Sequence, residues 1–159
     1  MNNSNKNNNS KIPNKNISLK QSFSFAFKGL IYIYKMERNF RIQSIVGITV
    51  LIVSLFCNLS TIEFIFLLFT VMLVLVMETL NTVVEKLLDF IHPIYNSTIK
   101  TIKDISAALV LITSVFAVVI GIIIFGRALF NLHPKYGIII ATIFLLILNL
   151  LGALYKTDD

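Results

Sequence analysis

The sequence predicts an all-α integral membrane protein, with an N-terminal amphipathic surface helix, three transmembrane helices and an extra fourth transmembrane segment. Three observations carry this expectation. Of 159 residues, 56% are hydrophobic and only 14% charged, and the mean hydropathy is +0.81, a balance foreign to soluble globular domains. Four apolar runs follow one another between Ile42 and Tyr155, each near the roughly 20 residues that a span requires. No stretch shows an alternating strand pattern with a second strand to pair with.

In chain order, residues 1–16 (MNNSNKNNNSKIPNKN) are low-complexity Asn, Ser and Lys, too polar to bury anything, and read as a disordered tail to which the sequence assigns no function. Residues 17–35 are amphipathic. Lys20, Ser24, Lys28 and Lys35 recur near helical spacing, while Phe23, Phe27, Leu30, Ile31 and Tyr34 cover much of the remainder. That suits a helix lying in the membrane interface rather than a strand. The first span is expected over 42–59 and the second over 62–90, the latter long enough for its end to project beyond the hydrocarbon. Pro93 stops it, and a polar connector from His92 to Lys103 leads to a third span over 105–125. A second connector, Arg127 to Lys135, precedes the fourth apolar run at 136–155.

The formal charge of +6 suggests nucleic acid at first sight, but eight of the fourteen basic residues precede the first span. Topology explains them, and no nucleic-acid partner is expected. Twelve basic residues fall on one predicted side and two, Arg127 and Lys135, on the other, which puts the N-terminus in the cytoplasm, and the C-terminus with it if the fourth run crosses. No apolar core with a small-residue cleavage site precedes the first span, so no cleaved signal peptide is expected. Cys57 is the only cysteine, which excludes an internal disulfide and a cysteine metal site. It reads as a small apolar residue near a helix end. His92 and His133 fall in connectors on opposite predicted sides and cannot share one site. Gly121 and Gly126 suit close helix packing, at a spacing of five rather than the four of GxxxG.

The chemistry concentrates in METLNTVVEKLLDF, Met77 to Phe90. Spacings of three, four and four put Glu78, Asn81, Glu85 and Asp89 on one face of an apolar helix. An ionisable residue at a helix centre costs on the order of 2.5 to 3.5 kcal/mol on insertion scales and usually faces a protein interior, a cavity or a ligand. Glu37, Glu78, Glu85, Asp89 and Asp104 all fall near predicted cytoplasmic helix ends, interleaved with Lys28, Lys35, Arg38, Arg41, Lys86, Lys100 and Lys103. Such a cluster suits Mg²⁺ carrying nucleotide phosphates, because Mg²⁺ takes oxygen ligands and often only one or two protein carboxylates. A further carboxylate could accept the proton of a lipid hydroxyl. No GxxxxGK[ST] stretch is present, so any nucleotide site is not a P-loop. A rival reading makes Glu78 the buried proton or cation site of a small carrier or a non-catalytic scaffold. Asp89 and Lys86 read as a solvated helix end.

AFKGLIYIYKMERNFRI (Ala26 to Ile42), METLNTVVEKLLD, and Lys103–Asp104 followed by ISAALVL together resemble the small prokaryotic diacylglycerol kinase family, in particular its undecaprenol kinase branch from Gram-positive bacteria. The resemblance covers residues 20–125. It implies a membrane kinase domain over 17–127, followed by the connector and added segment at 128–159. It also implies a homotrimer with active sites shared between subunits, multi-pass in the bacterial cytoplasmic membrane with its site at the cytoplasmic face. The implied reaction is transfer of the γ-phosphoryl of ATP, with Mg²⁺, to a lipid alcohol, undecaprenol in first place and diacylglycerol as the alternative. By matching motifs, Glu78 takes the place of the catalytic base, and Glu37 and Glu85 those of metal-binding carboxylates. Lys103 and Asp104 match the nucleotide-contacting pair, with Asn81 beside them, and Lys28 and Arg41 fall at supporting positions. Two departures stand out. Ser106 and Ala107 replace the Gly-Ser of diacylglycerol-using enzymes, which leans towards a polyprenol, and the fourth apolar run exceeds the usual family length.

Overall fold

The computed structural model describes residues 18–94 and 96–154; the expected tail at 1–16 lies outside them. The described residues form five helices and no strand: α1 (Leu19–Met36), α2 (Arg38–Ser54), α3 (Thr61–Ile91), α4 (Ser97–Phe130) and α5 (Lys135–Leu154). The chain divides into two compact units, one up to Tyr32 and one from Ile33 onward.

The first unit holds most of α1. Its start is a reciprocal cap, with Gln21 N–H donating to Ser18 Oγ at 3.3 Å and Ser18 N–H to Gln21 Oε1 at 3.1 Å. No residue of α1 is buried, and Phe23, Phe25, Phe27, Leu30 and Ile31 are all exposed. Lys28 Nζ stands 5.9 Å from the centroid of the Phe25 ring, a cation–π contact within the first unit.

In the second unit, one extended residue, Glu37 (φ −100°, ψ 114°), separates α1 from α2. The Arg41 guanidinium donates to Lys35 O at 2.7 Å and Tyr34 O at 3.4 Å, so the last carbonyls of α1, which a helix end leaves without partners, are satisfied from the first turn of α2. The segment RNFR after Glu37 therefore belongs to α2, which starts four residues earlier than the span expected at 42. Beyond Ser54 the chain tightens into turns: Leu55, Phe56 and Cys57 N–H groups bond to the carbonyls of Ile52, Val53 and Ser54, three residues back, so the helix ends before the expected first span does.

α3 opens on a capping box in which Ser60 and Glu63 exchange side-chain and backbone bonds. α4 departs most from expectation. The residues read as a polar connector up to Lys103 are helical from Ser97, because the Asn96 side chain accepts from Thr98 N–H at 2.8 Å and Ile99 N–H at 3.4 Å. The polar residues there form the first turns of a helix, not a loop. At the other end Asn131 is left-handed (φ 55°) and Leu132 N–H returns to Gly126 O at 3.0 Å, which closes the helix.

Three helices, α3, α4 and α5, are long and apolar enough to cross a membrane. α2, with 17 residues, reaches about 25 Å at 1.5 Å per residue, and polar Arg38, Asn39, Arg41, Gln43 and Ser44 occupy its first two turns. α3 packs against both α2 and α4, and α5 packs against α4. The interior is small and polar where a soluble core would be large and apolar. Buried side chains include Ser54, Thr70, Glu78, Thr82 and Ser106 beside Phe40, Leu67, Val119 and Ile124, while most large apolar side chains point outward. Such a distribution belongs to a protein whose solvent is lipid. Thr70 and Thr82 hydroxyls donate to the carbonyls four residues back at 2.7 and 3.1 Å, so burying them leaves no hydroxyl without a partner.

The glycine expectation is corrected by the contacts. A Cβ built on Gly121 would meet nothing within 4 Å, and one on Gly126 would meet Leu132 at an ordinary 3.5 Å. The tight approaches are elsewhere: a Cβ on Gly47 would lie 2.6 Å from Val71 Cγ1, and one on Gly137 would collide with Ile123. Helix spacing depends on which face a glycine occupies, which a five-residue interval does not encode.

Candidate active site

Glu78 lies seventeen residues beyond Thr61, about 26 Å along α3 at 1.5 Å per residue. A helix segment of that length is comparable to the thickness of a hydrocarbon layer, roughly 30 Å. Glu78 is 3% exposed. Gln43 Nε2, from α2, donates to Glu78 Oε2 at 3.2 Å, and Asn39 lies beside the same carboxylate. Glu37 and Glu85 are near enough to act on it through space. Glu37 comes from the α1–α2 joint, and Glu78 and Glu85 from α3.

Glu37 occupies the N-cap position of α2 without capping it. Its carboxylate is left for other work, and Lys86 Nζ stands 3.8 Å from it. Glu85 Oε1 accepts from Asn81 Nδ2 at 3.1 Å, and Asn81 Oδ1 accepts in turn from the buried Ser106 hydroxyl of α4 at 2.6 Å. Lys103 is ion-paired with Asp89 across α3 and α4, and Asp89 is exposed, which fits a solvated helix end carrying a surface ion pair. Asp104 is exposed on α4 beside Lys103. Arg41 serves the α1–α2 joint. Lys28 belongs to the first unit.

Gln43, Asn39 and Ser106 were not singled out as site residues by the sequence. A polar residue within a helix otherwise turning apolar was the available signal for Gln43. Its Oε1 is buried without a partner, and its side chain lines an apolar cavity of 320 Å³ between α2, α3 and α4, walled by Val46, Gly47, Leu67, Val71 and Val118.

Among the described residues no group of three or more His, Cys, Asp and Glu side chains is arranged to hold a metal alone. Glu37 and Glu85 do provide the hard oxygen donors that Mg²⁺ prefers, and a Mg²⁺ that arrives on phosphates takes one or two protein carboxylates rather than a full protein cage. The donor set fits that mode of binding. At the opposite end of α3, Arg127 grips Glu63 with Nε and Nη2 at 2.6 Å each and reaches Asn58 O at 3.3 Å, so the polar site and this clasp lie at opposite ends of the same bundle.

A family model described as prokaryotic diacylglycerol kinase matches residues 24–125. The chain is 34% identical over 101 residues to a diacylglycerol kinase of Synechocystis sp., covering 63% of this chain and only 58% of that protein. It is 30% identical over 105 residues to the undecaprenol kinase of Bacillus subtilis, covering 66% of this chain and 85% of that protein. It is 28% identical over 95 residues to a diacylglycerol kinase of Escherichia coli, covering 60% and 78%. The matched region contains α2, α3, most of α4 and every polar residue of the site just described, and the chain therefore belongs to the prokaryotic diacylglycerol kinase family.

Proposed function

We propose that this protein is a membrane lipid kinase that transfers the γ-phosphoryl of ATP to a lipid alcohol, undecaprenol in first place. The observation that carries the reading is the buried Glu78, held at 3.2 Å by Gln43, a residue whose side chain also lines an apolar cavity. A carboxylate there meets a lipid hydroxyl at the membrane surface while the chain of the lipid stays in apolar surroundings. As the hydroxyl oxygen attacks, its bond to the γ-phosphorus forms while the bond to the β,γ-bridging oxygen breaks. The proton passes to Glu78 and ADP leaves. Glu37 and Glu85 would hold Mg²⁺, which when bound neutralises phosphate charge. Lys103 and Asp104 bind the nucleotide with Asn81 beside them, and Lys103 exchanges Asp89 for a phosphate. Arg41 supports the site by keeping Glu37 at the helix joint, and Lys28 is a supporting residue of α1.

The protein is proposed to be multi-pass in the bacterial cytoplasmic membrane, with its N-terminus and site at the cytoplasmic face. The positive-inside count supports this, as does the separation of the Glu37–Lys86 end from the Glu63–Arg127 end. α2 joins those two ends, from Gln43 beside Glu78 to the Asn58 loop beside Arg127, which supports its crossing as the first span despite its length. The assembly is proposed to be a homotrimer with shared sites. The small apolar core of one chain leaves helix flanks for copies to pack against.

The names of the Synechocystis and Escherichia coli relatives favour diacylglycerol as the second acceptor. Purified protein in nanodiscs with γ-labelled ATP and either lipid separates the two. Label in undecaprenyl phosphate supports the first choice, and clear preference for diacylglycerol overturns it. Glu78→Gln is expected to lower turnover by about 10²-fold or more with expression and assembly intact. Near-normal turnover would remove Glu78 from the role of base.

A further inference from the structure

Ser106 is 6% exposed and sits on α4 one turn beyond Lys103, facing Asn81 on α3. Its hydroxyl has one hydrogen and two acceptors within reach, Asn81 Oδ1 at 2.6 Å and its own Lys103 O at 2.9 Å. Lys103 O already belongs to the hydrogen-bonded ladder of α4, whereas Asn81 Oδ1 sits at the shorter distance, at the close end of the range for a hydroxyl donor. The hydrogen therefore lies on the line to Asn81. That settles the amide. With Oδ1 turned to Ser106, the NH₂ faces Glu85 Oε1 at 3.1 Å. The opposite rotation would set Oδ1 against a carboxylate, acceptor against acceptor.

We propose that Ser106 is a positioning residue for the nucleotide and metal side of the site: it orients Asn81 so that the amide holds Glu85 by one oxygen and leaves the other for a divalent cation. The inference rests on the lipid-kinase reading of Glu85. It links the two halves of that reading physically, because the same hydroxyl ties the helix bearing Lys103 and Asp104 to the helix bearing Glu78 and Glu85. A buried serine in a lipid-facing bundle needs no such partner, since its own i−3 carbonyl would satisfy it. The hydrogen's place on Asn81 rather than on Lys103 O is thus not something that burial requires.

The test is Mn²⁺ binding by electron paramagnetic resonance on the purified full-length protein with a non-hydrolysable ATP analogue, alongside steady-state kinetics. Loss of an outer partner of a metal carboxylate costs about 10- to 100-fold in metal affinity. Ser106→Ala is expected to weaken Mn²⁺ binding at least about tenfold and to raise KM for Mg-ATP, with KM for the lipid unchanged. Ser106→Thr, which keeps the hydroxyl, restores the affinity, and Ser106→Cys, a weak donor of similar volume, falls between. In an Asn81→Ala background, Ser106→Ala has no further effect on Mn²⁺ affinity. Wild-type affinity in the Ala or Cys variant, or a loss that Thr does not restore and that persists without Asn81, overturns the proposal. Absence of Mn²⁺–nucleotide binding by the wild type overturns the underlying reading of Glu85 instead, and this inference falls with it.

Discussion

Gln43 gives one amide hydrogen to Glu78 at 3.2 Å and keeps its own carbonyl oxygen buried without a partner. A buried acceptor left empty costs about 1–3 kcal/mol, and here it stands beside the carboxylate proposed to take a proton from the substrate hydroxyl. Removing the amide should therefore disturb orientation more than binding of nucleotide. Gln43→Leu is expected to lower kcat about 10- to 100-fold, the usual cost of losing a partner that aligns a reacting group, with KM for Mg-ATP within about twofold. A change confined to KM for Mg-ATP would assign Gln43 to the other side of the site.

Glu37 and Glu85 reach the site from different elements, one from the single extended residue between α1 and α2 and the other from the seventh position after Glu78. Glu37 lies 3.8 Å from Lys86, a loose and partly exposed pair that a bound cation could displace at little cost. Glu37→Ala and Glu85→Ala are each expected to shift the Mg²⁺ concentration for half-maximal rate upward by about tenfold or more before affecting KM for the lipid. Titration of Mg²⁺ at fixed ATP and lipid measures this. An unchanged Mg²⁺ profile with a raised lipid KM would make the metal assignment wrong.

The polar face of α3 was legible because it is local: spacing puts Glu78, Asn81 and Glu85 on one helical face, while their roles come only from the resemblance, and the end of α3 follows from Pro93. What escaped was what distance in sequence hides. Gln43 lies 35 residues from Glu78 and Ser106 lies 25 from Asn81, and neither pair is implied by any periodicity. The start of α4 at Ser97 was missed because polar residues in a helix that leaves the membrane look like a connector, until Asn96 is seen as a cap. Gly47 and Gly137 were missed for a related reason: a glycine contact is defined by the facing helix, Val71 or Ile123, not by its own neighbours.

Arg127 grips Glu63 with two nitrogens at 2.6 Å each while Glu63 also caps α3 through Ser60. Bidentate charge-assisted bonds exceed ordinary surface pairs, and this one ties the start of α3, the end of α4 and the loop at Asn58 together. Arg127→Ala should cost about 1 to 2 kcal/mol of stability, seen as a lower thermal midpoint in detergent. Turnover below that midpoint should stay near wild type, because the clasp and the polar site lie at opposite ends of α3. A large loss of turnover at unchanged midpoint would instead place this end of the bundle in the reaction.

α5 lies beyond the family-matched residues 24–125 and packs on α4, with Gly137 directly against Ile123. Any side chain at 137 must displace Ile123 or move the helix, and in lipid, where apolar surface gains nothing by leaving its solvent, close packing of small residues is a large part of what holds two helices together. Gly137→Leu should therefore free α5 from α4. A cysteine pair across α4 and α5, efficiently crosslinked in the parent, would crosslink poorly in the variant, while lipid phosphorylation stays within about twofold because Glu37, Glu78, Glu85 and Lys103 all precede α5. Crosslinking equal to the parent would show that α5 is held by contacts other than Gly137, and a collapse of turnover would bring the fourth apolar segment into the working kinase.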